Sequence, residues 1–203
     1  MPAESSVHFF LSWAKERIDE MDATLAFLES KSAEMQAVAR VKADQFIAAL
    51  KEKRNEFEKT VKKQAEAGEA TWDSAKVRLE AEWNGFEMEI KKYFETFGKG
   101  IEQQQDVFQS QVTAQLNAWR ETADKLNTVA KEFAIERRRE IDATVSRMRA
   151  DAAAAEEKLQ KLARAGTDSW SALNAALAET RAAFDRANQA AREAFGRASS
   201  SAQ

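Results

Sequence analysis

Apolar side chains recur at steps of three and four along nearly the whole chain, and no proline interrupts them. Phe10, Trp13, Ile18, Met21, Leu25, Leu28, Met35, Phe46, Leu50, Phe57 and Val61 form the first part of the stripe. Trp72, Leu79, Trp83, Phe86, Ile90, Tyr93 and Phe97 continue it. That spacing is the seam of amphipathic helices rather than the alternation of a strand. The only proline of the 203 residues is Pro2, and there are six glycines. A chain so poor in breakers is expected to be all-α and built from long helices. Such helices cannot bury their own stripe and must pair.

Charge and cysteine content narrow the setting. The 31 basic and 34 acidic residues leave a net charge of −3, so no strong field recruits nucleic acid. With no cysteine, a disulfide framework and a thiolate metal site are excluded. The most apolar run, "VHFFLSWA", is far shorter than the ~20 residues of a membrane span, and no transmembrane segment is expected. The flank "MPAESS" lacks the basic region of a signal peptide, which points to a cytoplasmic protein.

The stripe repeats itself. Gly68 and Gly166, Trp72 and Trp170, Leu79 and Leu177, Phe86 and Phe184, Phe97 and Phe195, and Gly98 and Gly196 are each 98 residues apart. Phe10/Phe108, Leu28/Leu126, Arg40/Arg138 and Asp44/Asp142 keep the same 98-residue interval, without a gap. This reads as an internal duplication, with repeats at about 10–98 and 108–196. The stretch "AGEATWDSAKVRLEAEW", with Trp72 and then Trp83 eleven residues on, resembles the C-terminal signature of a family of short, uncharacterised bacterial coiled-coil proteins. The resemblance covers residues 9–97 well and 108–196 less well, with Arg181 standing where the first copy has Trp83. It implies a helical interaction protein and carries no catalytic residues.

"FGKG" is the strongest stop signal, and Gly98, Lys99 and Gly100 are expected to form the main turn. Two helices folding back there predict an antiparallel coiled-coil hairpin, with residue i facing about 198 − i and a length on the order of 135 Å. The alternative is an elongated four-helix bundle, with further breaks at Gly68 and Gly166. Residues 1–203 then form a single helical domain, with 198–203 as a frayed tail.

Chemistry-bearing constellations are sparse. His8, the only histidine, has no partner in sequence for metal or general-base work. "ERRRE" at 136–140 and "KEKR" at 51–54 read as salt-bridge ladders on solvated faces. No catalytic, cofactor-binding or metal residues are assigned, and enzyme activity is not expected. The informative residues are the large aromatics Trp13, Trp72, Trp83, Phe86, Phe94, Phe97, Trp119, Trp170 and Phe184, read as core or interaction positions. Two functions fit: a structural scaffold or spacer that self-associates, as a dimer or with an unidentified protein partner, or an amphipathic binder of lipid or polymer surfaces, like apolipoproteins or phasins.

Overall fold

A computed structural model of the chain describes residues 9–68, 71–97, 101–165 and 169–200. The described residues form α-helices with no strand: α1 (Phe9–Ala33), α2 (Ala37–Ala67), α3 (Trp72–Phe97), α4 (Ile101–Ala130), α5 (Ile135–Arg164) and α6 (Trp170–Ser200). The chain is all-α, as its periodicity predicts. The starts of α2 and α5, and those of α3 and α6, are separated by the same 98 residues that relate the sequence stripes.

Cross-helix contacts fix the directions. Asp22 meets Arg54 while Glu29 meets Lys51, so α1 and α2 are antiparallel. Phe46 meets Phe97 and Thr60 meets Glu82, which turns α3 back along α2. Arg120–Glu156 with Arg149–Asp124, and Lys158–Glu179 with Arg197–Glu140, repeat this up–down–up path in α4, α5 and α6. The most extensive pairing in the molecule is α1 against α4. It is antiparallel as well, with Lys15 opposite Glu121 and Gln111 bonded to Thr24. These two helices therefore form the centre, and α2 and α5 lie outside them.

The arrangement departs from both the two-helix hairpin and the four-helix bundle, because each half turns once more than its glycines suggest. The added corners lie between Ala33 and Ala37 and between Ala130 and Ile135. At the first, Glu34 and Met35 donate to carbonyls three residues back; at the second, Lys131, Glu132 and Phe133 do the same. Gln36 (φ −65°, ψ 153°) and Ala134 (φ −59°, ψ 149°) then leave the helix in an extended conformation open to any residue. Folding back lets each half bury its stripe on itself, which a helix of about ninety residues cannot do. The longest helices have 31 residues, about 46 Å at ~1.5 Å per residue, far short of the hairpin length. Among the described residues, α1 and α6 come near the expected facing rule. It would set Arg17 opposite Arg181, whereas Arg17 meets Asp185, one turn away.

The glycines behave individually. Gly68 caps α2 with φ 81° and ψ 174°, a region essentially reserved for glycine, and its N–H bonds to the Gln64 carbonyl. Gly166 and the turn residues Gly98, Lys99 and Gly100 lie outside the described residues. α6 runs through Gly196 to Ser200, with Ala198 buried and the Ser199 and Ser200 hydroxyls bonded to the Phe195 and Gly196 carbonyls. Of the tail expected at 198–203, residues 201–203 lie outside the described residues.

Candidate functional site

The nine aromatics singled out from the sequence all point inward. Trp13, Trp72, Trp83, Phe86, Phe94, Trp119 and Phe184 are buried, and Phe97 and Trp170 are partly buried against the core. Trp13 crosses Trp72 edge-on with ring centroids 5.2 Å apart, and Phe94 packs on Trp170 at 4.8 Å, joining the two halves. Trp119 meets Phe184 at 5.4 Å in the second half. The stripe that could have served as an exposed face is thus filled in cis.

The structure adds a feature that the sequence reading did not extract: a buried charged cluster where α1, α3 and α6 meet. Trp13, Arg17, Glu20 and Thr24 follow one another at steps of four, three and four along α1, and all four are buried. Arg17 donates to Asp185 of α6 through both terminal nitrogens, at 3.1 and 2.9 Å, and to Glu16 at 2.7 Å. Arg181 of α6 donates from Nε to both Glu20 oxygens, at 3.1 and 3.2 Å, and pairs with Glu87 of α3 at 2.9 Å. Each guanidinium also covers an indole: Arg17 lies 4.1 Å from the Trp13 ring centroid and Arg181 4.7 Å from that of Trp83. Planar, weakly hydrated arginine suits such stacked and forked contacts better than lysine would.

Four carboxylates around two guanidiniums leave an excess of negative charge. Burial pushes the Glu16 carboxyl well above its usual pKa, against the pull of Arg17, and neighbouring Glu20 adds to the rise. Glu16 Oε1 receives no donated hydrogen bond. An oxygen left without a donor beside a second carboxylate is the natural seat of a proton. A proton held there removes one of two neighbouring negative charges. For Arg181, burial works against the charge, but Glu20, Glu87 and Glu16 outweigh it and raise the pKa.

The second half carries a neutral counterpart. Gln111, Gln115, Ala118 and Thr122 stand 98 residues after Trp13, Arg17, Glu20 and Thr24. Gln111 donates to Thr24 at 3.0 Å and Gln115 to the Leu177 carbonyl at 3.2 Å. The legible signal was the helical spacing of the charged residues on α1. Those charges carry no mark of burial in the sequence, because only tertiary structure shows that α1 is enclosed by its neighbours.

The sites read as charge ladders are on the surface. Arg138 bonds to Asp142, Arg54 bridges Asp22 and Glu58, and Glu140 is taken by Arg197 of α6. His8 lies outside the described residues. Among the described residues no group of three or more His, Asp or Glu side chains is placed to hold a metal ion, and no helix is long and apolar enough to cross a membrane. No family model, curated protein or solved structure matches the chain. The fold thus defines a class only: an all-α protein of two three-helix units packed through their first helices.

Proposed function

We propose that the protein is a non-enzymatic structural or interaction protein, a scaffold or spacer arising from duplication of a three-helix unit and acting in the cytoplasm. One observation carries this reading: the aromatic stripe is filled within the chain, while a buried ionic cluster and the Phe94–Trp170 contact tie the two halves together. The recurrence of the helix starts at 98 residues supports the duplication. The resemblance to short bacterial coiled-coil proteins agrees with it, over residues 9–97 well and over 108–196 less well.

Self-association then uses the outer surface. Val38 and Val41, one turn apart at the start of α2, are 79% and 60% exposed and are suited to a contact between two copies. Light scattering with small-angle scattering tests this. The expected particle is a dimer of compact bodies, which Val38→Lys with Val41→Lys converts to monomers. A monomeric wild type at high concentration removes self-association from the reading.

The surface-binding alternative requires the helices to open, because the wide apolar face is internal. The enclosed pairs of Arg17 and Arg181 oppose that opening. Flotation with phosphatidylcholine or polyester particles decides between the two; flotation accompanied by loss of the near-ultraviolet aromatic signal would favour the surface binder.

A further inference from the structure

The two halves do not meet as equals. The first contributes Glu16, Arg17 and Glu20 of α1 and Glu87 of α3 to the buried cluster, and the second contributes Arg181 and Asp185 of α6. At the 98-residue interval, Glu16, Arg17 and Glu20 correspond to Ala114, Gln115 and Ala118, and Arg181 corresponds to Trp83. Glu87 and Asp185 correspond to each other, so an acid at that place is all that the halves share. The large aromatics are different: Trp72 and Trp170, or Phe86 and Phe184, are the same residue in both. Aromatic packing alone therefore gives a half no means of telling its partner from itself.

The charges supply that means. α1 and α4 correspond in sequence and pack antiparallel, an arrangement that two identical halves could also form. A first half docked on another first half would bring Trp83 to Glu20 in place of Arg181. Glu20, 0% exposed, would then be buried without that cation. Two second halves fare no better, because Arg181 would meet Ala118 and Asp185 would meet Gln115. A buried charge stripped of its partner is strongly unfavourable even where the matched pair adds little net stability. Mismatch is therefore rejected more strongly than the match is favoured. We propose that the cluster is a matching code: the α1–α3 face of a first half admits a second half, from its own chain or from another copy, and rejects a like half. The code acts inside the fold and is independent of an outer contact through Val38 and Val41.

Charge exchange in the full chain tests the code, with Val38→Lys and Val41→Lys in every variant so that outer association does not enter the mass. Arg17→Glu and Asp185→Arg each set like charges together, and each should lower the folded-to-unfolded ratio in urea roughly a hundredfold. Combined in one chain, they should recover most of that loss and give a monomer. Refolded together from urea as separate chains, the two single variants should form a one-to-one dimer, each supplying the half that the other needs. Light scattering reads the doubled mass. Single variants that do not fold alone still test the code, because rescue is read in the pair. Arg181→Trp, which gives the second half the residue of the first, should part the halves and raise the radius of gyration; adding Glu20→Ala should reverse this. The code is overturned if the exchanged double variant is no more stable than the weaker single one. It is overturned equally if the refolded mixture gives no dimer, or if Arg181→Trp leaves the radius of gyration unchanged.

Discussion

Arg181 lies over the ring of Trp83, its guanidinium carbon 4.7 Å from the centroid, although the two residues stand 98 apart and hold corresponding positions in α6 and α3. Where the second half departs from the aromatic of the first, the replacement completes a contact with that aromatic. A second pair behaves in the same way. Glu87 and Asp185, also 98 apart, each receive one of the buried arginines.

Removing Arg181 should therefore be costly. Arg181→Met leaves Glu20 and Glu87 without their cation and is expected to destabilise the fold by about 3–5 kcal/mol. Arg181→Met combined with Glu20→Leu should recover part of that loss, since it removes the fully buried Glu20 charge and leaves only the partly exposed Glu87 without its cation. Urea denaturation of the two variants measures the difference. Equal loss in both would show that Arg181 acts by packing alone.

The raised pKa of Glu16 sets a direction with pH. The native carboxyl keeps its proton where the unfolded chain has lost it, so its contribution is complete below about pH 4.5 and is lost as pH rises through the higher native pKa. Glu16→Gln imitates the protonated form. It should be more stable than the wild type at pH 8, with the gap closing towards pH 5. Thermal melts across that range check the sign; a Glu16→Gln protein less stable at pH 8 would place a charge, not a proton, on Glu16.

Two glycines should respond oppositely to alanine. Gly68 sits at φ 81°, so Gly68→Ala is expected to cost about 1–3 kcal/mol even though a Cβ would meet nothing within 4 Å. Gly196 is inside α6 with equally open space, and Gly196→Ala should stabilise by roughly 0.5–1 kcal/mol. Chemical denaturation of the two single variants compares them directly.

Ala37 and Ile135 begin helices that the sequence did not announce, and amide hydrogen exchange can test their corners. Residues 34–36 and 131–134 should exchange far faster than the buried centre of α1, around Met21 to Leu28. Uniform slow protection across residues 25–45 would instead restore a continuous helix.

The helical class and inward aromatics were legible because period and bulk are local properties of a sequence. Gly68 marked a break only in the four-helix alternative, because the apolar seam runs on past it, and its φ of 81° shows why glycine stands there. The corners at Gln36 and Ala134 were not legible at all, since their backbone angles need no special residue. The cluster on α1 escaped for a different reason. Charged residues at helical spacing look the same whether they face water or three neighbouring helices, and only the central place of α1 distinguishes the two.

Gln36 and Ala134 have one more consequence. Corners without glycine or proline contain nothing that forbids the straight form, so these bends are decisions of the surrounding contacts rather than of the local chain. Met35 and Phe133, tucked against the cores beside them, act as the stops of a folding rule. Lift those two side chains, and the covalent chain has no memory of where it was bent.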